Sequence, residues 1–231
     1  MKEKLVCIWR KYSLLTMISF YFSVIGAQAD SIQTINIKID SLSKLYSVST
    51  LKDTSLYLVL IDSLLNQSRR QSVSKEHQQA LKTNVLADQI CLSKIGKFHP
   101  TYGSICFNYG KILVDKGDYQ DAKKWYLESL NIRENTIGRM HGDYANSLNN
   151  LGRISSIEGD LIQAEKYFQE SCDIRENVLG KSHPDYANSL ENLGITNKNL
   201  SRYDKAEQIY LEVKSIRENT VGKEHFLYEI Y

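Results

Sequence analysis

Four histidines recur at a constant spacing of 42 residues along the chain: His99, His141, His183 and His225. Histidine clusters often bind zinc, which needs its ligand nitrogens within about 2.1 Å of one ion. Residues that recur once per packed helical unit lie farther apart, because neighbouring helices are separated by about 8–10 Å. Consecutive histidines of this series therefore cannot share a metal. We expect structural residues at the turns between units, and we predict no metal site and no cofactor.

An Arg–Glu pair recurs with the same period and is the chain's nearest approach to an acid–base pair. Its copies are Arg133-Glu134, Arg175-Glu176 and Arg217-Glu218. A catalytic site normally occurs once, whereas a surface or inter-repeat ion pair recurs with the repeat. The repeats contain no G-x-S-x-G motif and no phosphate-binding glycine loop. We therefore predict that the chain is not an enzyme and has no catalytic residue.

The same register aligns small and aromatic residues, which indicates that the chain consists of repeated helical units. In the middle unit Tyr144, Leu148, Leu151 and Ile154 are spaced by three or four residues and form one apolar helix face. Asp160 is suited to cap a second helix. We expect the two helices of each unit to pack closely at the aligned small residues, beside the aligned aromatic ones. These residues are Gly110, Gly152, Gly194, Ala122, Ala164, Ala206, Tyr126, Phe168 and Tyr210.

The period also predicts the domain organisation. Three complete units span residues 99–140, 141–182 and 183–224, and residues 225–231 begin a fourth unit. Residues 30–98 fit the register loosely, so we predict an N-terminal helical cap with a degenerate repeat there. Because stacked units bury their apolar faces against each other, an array normally ends in a polar helix. We expect the C-terminal end to lack such a helix, as in a chain that is truncated or completed by something else.

These residues carry a family resemblance. The pattern of Leu148, Leu151-Gly152, Ala164 and Phe168 resembles the tetratricopeptide repeat (TPR), and the 42-residue period with HPDYANSLENLG from His183 is similar to the kinesin light chain variety. The resemblance covers residues 99–224. It implies an all-α fold, a right-handed superhelical array of antiparallel helix pairs (a TPR solenoid).

The resemblance also implies a binding groove, because the first helix of each TPR pair lines the concave side of the array. An asparagine there offers a donor and an acceptor to an extended peptide backbone, and a nearby cation favours a carboxylate. The alternative interpretation is that the asparagines are solvated or connect neighbouring repeats. The predicted partner-binding residues are Asn108, Lys111, Asn146, Asn150, Arg153, Asn188 and Asn192.

The predicted function is therefore a non-enzymatic protein–protein interaction module that binds a protein or peptide segment in this groove. Two alternatives remain open. By resemblance, the chain is the sensor or docking portion of a longer protein with a caspase-like protease or sensor kinase domain. Otherwise it is a self-assembling structural protein that associates through its uncapped C-terminal end.

The N-terminal residues have the features of an export signal. A basic start with Lys2, Lys4, Arg10 and Lys11 precedes an apolar run, and Ala27-Gln28-Ala29 matches a signal-peptidase site. The run from Tyr12 to Ile25 is short for a membrane anchor, which needs roughly 20 residues. We predict a signal peptide over residues 1–29, no stable membrane span after its cleavage, and export to a periplasmic or extracellular location. We expect the bacterial envelope, and the alternative is eukaryotic secretion, whose signal has the same physical features.

The net charge bears on nucleic-acid binding, and the cysteine content bears on disulfide bonds. The chain has a formal net charge of +2, and removal of residues 1–29 takes away four basic residues and one acidic residue, which leaves −1. We therefore predict no nucleic-acid partner. Cys91, Cys106 and Cys172 remain, and we expect buried small apolar residues. An exported chain could still oxidise Cys91 and Cys106, which lie on neighbouring predicted helices.

Overall fold

The structure is a computed structural model that describes residues 54–221, which form eight α-helices and no strand. The helices are α1 (Thr54–Val73), α2 (His77–Lys94), α3 (Pro100–Lys116), α4 (Tyr119–Thr136), α5 (Gly142–Ile157), α6 (Leu161–Leu179), α7 (Pro184–Asn199) and α8 (Tyr203–Val221). The all-α prediction is confirmed. The predicted signal peptide, residues 30–53 of the cap, His225 and the start of the fourth repeat lie outside the described residues.

The chain divides into two compact units between Ala122 and Lys123, within α4. In the first unit α1 packs against α2, and α3 packs against both. In the second unit α5 packs against α6, α6 against α7 and α7 against α8, and α5 also touches α7. Within residues 54–221, no helix is both long enough and apolar enough to cross a membrane.

Helix α5 shows why the sequence forms these elements. Tyr144, Leu148, Leu151 and Ile154 are each at most 2% exposed, so the apolar face predicted from their spacing is the buried face of α5. Tyr144 and Leu148 share a core cluster with Ile174 of α6. The opposite side of α5 is polar and meets solvent.

Close helix approach depends on two glycines in the second unit. A β-carbon on Gly152 would lie only 2.7 Å from Cε1 of Phe168, and one on Gly194 would lie 2.8 Å from Cε1 of Tyr210. Phe168 is 2% exposed. Gly152 and Gly194 therefore let α5 and α7 lie directly against the aromatic rings of α6 and α8, which is the packing role predicted for these positions.

The turn before the second helix differs between repeats. Asp160 caps α6, because its side chain accepts a hydrogen bond from the backbone N–H of Gln163 at 3.0 Å. Gly159, just before it, has a left-handed φ of +83°. Ser201 occupies the equivalent position in the next repeat and has a φ of +60°. Ser201 therefore takes the left-handed position that glycine holds in the preceding repeat.

The three described cysteines, Cys91, Cys106 and Cys172, are buried, and none of them is in a disulfide. The cross-link between Cys91 and Cys106 is therefore not formed, and the prediction of small apolar core residues is confirmed. Burial, with a smaller effect from Asp88, raises the pKa of the Cys91 thiol to about 11. Burial likewise raises the pKa of Cys172 to about 12.

Candidate protein-binding face

The exposed sides of α5 and α7 form a polar surface in the second unit. Five asparagines lie on it, and we call them the amide face: Asn146, Asn149, Asn150, Asn188 and Asn192. Asn192 Nδ2 on α7 donates a hydrogen bond to Asn149 Oδ1 on α5 at 3.0 Å. This contact between two half-buried side chains joins the first helices of consecutive repeats, so the asparagines of α5 and α7 lie side by side.

Helical periodicity places these residues away from the core. Asn146, Asn150 and Arg153 follow each other at spacings of four and three residues, on the side of α5 opposite its buried leucines. Asn188 and Asn192 repeat this spacing on α7, where Ile195 follows in place of an arginine.

The asparagines differ in how freely their amides can bind a partner. Asn150 Nδ2 donates to the backbone oxygen of Asn146 at 2.9 Å, and Arg153 Nη1 lies 3.4 Å from Asn150 Oδ1. The side-chain oxygen of Asn146 accepts from Arg175. Asn188 is exposed, and its side chain makes no hydrogen bond within the described part of the chain. Asn188 and the exposed Arg153 are therefore the most accessible groups on this face.

The two predicted site residues on α3 lie in the first unit and differ from each other. Lys111 is exposed, whereas Asn108 is only 1% exposed. Asn108 Nδ2 donates to Asn84 Oδ1 at 2.8 Å and to Ser68 Oγ at 3.2 Å. The Asn108 amide is thus used inside the helix packing, and we leave it out of the candidate face.

A sequence signal for the burial of Asn108 was present. In the 42-residue register Asn84 stands where later repeats have an aromatic residue, and Ser68 stands where they have glycine. In later repeats an aromatic ring packs on a glycine at this point, whereas here two polar side chains take their places. Because buried polar groups need hydrogen-bond partners, the residue packed beside them has to supply one. The amide of Asn108 meets that requirement.

The repeated arginines were expected at a surface or in ion pairs, and for two of them the surface prediction is wrong. Arg175 is 5% exposed, and its Nη1 donates to the backbone oxygen of Asp185 at 2.8 Å and to the hydroxyl of Ser189. Arg133 is equally buried and makes the same contacts to Asp143 and Ser147, at 2.7 and 2.8 Å. Each arginine therefore links a second helix to the first helix that follows it.

The third arginine does form an ion pair, but within its own repeat and not between repeats. Arg217 Nη2 lies 2.6 Å from Glu191 Oε2 on α7, and both side chains are partly exposed. The signal that sequence reasoning missed was the serine that follows Arg133 and Arg175 after 14 residues, on the buried face of the next helix. Burial lowers the pKa of Arg175, and the nearby Asp185 opposes this shift.

The described histidines of the 42-residue series have one common structural role. His99, His141 and His183 each precede a first helix, and their Nδ1 atoms accept backbone N–H groups at 3.2, 3.0 and 3.1 Å. They are therefore helix caps at the turns, where polar structural residues were expected. Across residues 54–221, no group of three or more His, Cys, Asp or Glu side chains is arranged to hold a metal ion.

Comparisons with known proteins agree with this architecture. The family model for the tetratricopeptide repeat matches residues 101–177 and 143–219, which together exceed half of the chain. No curated protein matches the chain significantly.

Several solved structures have a similar fold. BtubC (BKLC) from P. vanneervenii is 19% identical, with a TM-score of 0.65 and coverage of 96% of this chain and 92% of that one. Two structures of nearly identical TPR-like repeats from Podosopora anserina, described as kinesin light chain, are 18% and 14% identical. Their TM-scores are 0.64 and 0.58, and the matches cover 73% and 91% of this chain and 79% and 96% of those chains. The chain belongs to the tetratricopeptide repeat family, and its structural neighbours are TPR solenoids of the kinesin light chain type.

Proposed function

We propose that this protein is a non-enzymatic interaction module that binds an extended segment of a partner protein along the amide face. The tetratricopeptide repeat architecture is consistent with a protein partner. The observation that carries the proposal is the row of asparagine side chains across α5 and α7, with Asn188 exposed and the other four half-buried, connected by the contact between Asn149 and Asn192.

The chemistry of this face suits a peptide backbone. Each amide side chain carries both a donor and an acceptor, so it can pair with a backbone C=O or N–H whatever the partner's side chains are. Arg153 adds a positive charge beside the amides. Carboxylates on the partner would gain charge-assisted hydrogen bonds from such cations.

Peptide selection with the full chain tests this proposal. Peptides from a displayed random library would be selected on the protein, and their affinities measured by fluorescence anisotropy. We expect the double variant Asn150→Ala, Asn188→Ala to bind the selected peptides at least roughly tenfold more weakly, the loss expected from two hydrogen bonds.

A matched control separates binding from folding. Lys166 and Gln169 lie exposed on the outer side of α6, and their double alanine variant should bind like the wild type. Urea unfolding of both variants checks that the fold is retained. Equal affinities for the two double variants would reject the amide face as the binding surface.

We also propose that residues 1–29 are a cleaved export signal and that the mature protein works in the bacterial envelope. The support is the basic start, the apolar run and the Ala27-Gln28-Ala29 sequence. Expression of the whole chain in a bacterial host, followed by mass spectrometry of the fractionated protein, tests this. A mature N-terminus at Asp30 in the envelope fraction is expected, and an intact N-terminus in the cytosol contradicts the proposal.

A further inference from the structure

Three first helices of the repeats begin in the same way. Helices α3, α5 and α7 are each preceded by a histidine in extended backbone conformation, His99, His141 or His183. In each case the imidazole Nδ1 accepts the backbone N–H two residues later, from Thr101, Asp143 or Asp185. The usual capping residues are Ser, Thr, Asp and Asn, which do not gain a proton in the weakly acidic range.

This hydrogen bond requires the neutral form of the ring. Nδ1 can accept only while it carries no proton, so the ring proton must be on Nε2. His141 and His183 have side chains that are 48% and 40% exposed, so protons can reach them from solvent. Protonation would point an N–H at a backbone N–H and place a positive charge at the positive end of the helix dipole.

We propose that these three histidines form an acid-sensitive set of caps, which release the starts of α3, α5 and α7 when the imidazoles are protonated. Each cap bond exists only with the neutral ring, so acidification is the change that opens the caps.

The surrounding charges make the three caps unequal. Asp143 and Asp185 each place a carboxylate oxygen 4.0 Å from Nδ1 of the capping histidine. A protonated ring can form an ion pair there, which partly replaces the lost cap. His99 has Thr101 at this position, with its hydroxyl 3.0 Å from Nδ1, so the ion pair is not possible. The start of α3 should be the most acid-sensitive.

Charged residues also stand close in sequence to all three turns. A basic residue stands two positions before each histidine: Lys97, Arg139 and Lys181. Arg139 pairs with Glu134 and Glu170, and Lys181 pairs with Glu176, so these two charges are partly neutralised. From α6, the guanidinium of Arg175 reaches the backbone of Asp185 and adds positive charge beside His183.

Nuclear magnetic resonance of the full chain tests the proposal without any variant. Nitrogen shifts of the imidazoles should show the Nε2–H tautomer at pH 7.5 for the three capping histidines. Amide hydrogen exchange, corrected for its intrinsic pH dependence, should show protection at Thr101, Asp143 and Asp185 that falls by roughly two- to thirtyfold at pH 5, the range expected for a lost cap. The largest fall should occur at Thr101.

Variants distinguish the caps from general acid effects. Asparagine caps a helix well and does not titrate in this range, so His99→Asn should keep the amide of Thr101 protected at both pH values. His77 starts α2 without accepting a cap hydrogen bond there, and His77→Asn is the matched control that should leave all three profiles unchanged. The Nδ1–H tautomer at pH 7.5, or equal protection at pH 7.5 and pH 5, would overturn the proposal.

Discussion

The aromatic ring of Phe168 occupies the space that a side chain at Gly152 would need. The nearest ring atom lies 2.7 Å from the position of a β-carbon, and contacts of that length force neighbouring atoms to move. Phe168 is 2% exposed and packed on all sides. Because packed interiors resist rearrangement, even one added methyl group at Gly152 has to disturb the core.

We predict that Gly152→Ala lowers the free energy of unfolding by about 1–3 kcal/mol, the usual cost of overpacking. Urea unfolding followed by circular dichroism measures this change. Gly142→Ala is the matched control, because a β-carbon at Gly142 meets no atom within 4 Å. A Gly152→Ala variant as stable as the control would contradict the close packing of α5 on α6.

Buried cysteines give a second prediction at the residue scale. Cys91 and Cys172 are at most 2% exposed, and burial raises the pKa of their thiols to about 11 and about 12. Only the thiolate reacts readily, so we expect neither residue to be alkylated by iodoacetamide at pH 8 in the folded protein.

Mass spectrometry of tryptic peptides locates the modified residues. Both cysteines should become fully labelled in the same buffer with 8 M urea, which serves as the positive control. Rapid labelling of Cys172 without urea would show that α6 is not packed as described.

At the scale of the element, the turns between paired helices determine how each repeat closes. Gly159 and Ser201 occupy the same place in consecutive repeats and both have left-handed backbone, with φ of +83° and +60°. Glycine adopts this conformation without strain, whereas a residue with a β-carbon does not. The turn between α7 and α8 is therefore strained relative to the turn between α5 and α6.

We predict that Ser201→Gly raises the free energy of unfolding by about 0.5–1 kcal/mol, because it removes this strain. The reverse change, Gly159→Ala, should lower it by a similar amount, since no neighbouring atom lies within 4 Å and only the backbone is affected. Chemical unfolding of both variants against the wild type measures the two effects. Changes of the same sign would contradict the assignment.

At the scale of the whole molecule, ion pairs connect successive repeats of the second unit. Glu165 on α6 lies 2.7 Å from Arg202 and 2.8 Å from Lys205, both in the following repeat. Partial burial pushes the pKa of Glu165 upward, but hydrogen bonds from Lys205 and Arg202 outweigh this effect and hold it below its ordinary value. The ionised form is therefore favoured by folding.

Because the folded-state pKa of Glu165 is lowered, its contribution to stability is full above the ordinary value of 4.5 and is lost as the pH falls through the folded-state value. We predict that Glu165→Gln lowers the free energy of unfolding at pH 7 by about 0.5–1 kcal/mol, the size expected for a mostly exposed ion pair. The difference from the wild type should shrink as the pH falls below 4.5 and should disappear below the folded-state pKa of Glu165.

Glu207→Gln is the matched control for this change. Glu207 occupies the same repeat position on α8, is exposed, and makes no ion pair within residues 54–221. Its replacement should change stability little at either pH. If both variants were equally stable at pH 7, the ion pairs between the repeats would contribute nothing.

The overall architecture could be predicted from sequence because its signal is periodic. The spacing of apolar residues around Leu148 indicates the buried face of a helix. The recurring pair of a glycine and an aromatic residue, such as Gly152 and Phe168, indicates where two helices pack closely. The locations of Arg175 and Asn108 could not be predicted in the same way, because charged and amide side chains are normally solvated. Their burial depends on partners contributed by other helices, such as the backbone of Asp185 and the hydroxyl of Ser68.

Helix α7 accepts hydrogen bonds from Arg175 on one side and packs its Gly194 against Tyr210 on the other, which matters for dividing the chain into fragments. A fragment ending at Leu179 would keep the crossing of Gly152 and Phe168 but would remove the groups on α7 that Arg175 binds. A fragment ending at Asn199 would keep those groups but would uncover Gly194, which the ring of Tyr210 protects. Engineered fragments of this array will therefore need a designed solvating helix at the cut end, whichever boundary is chosen.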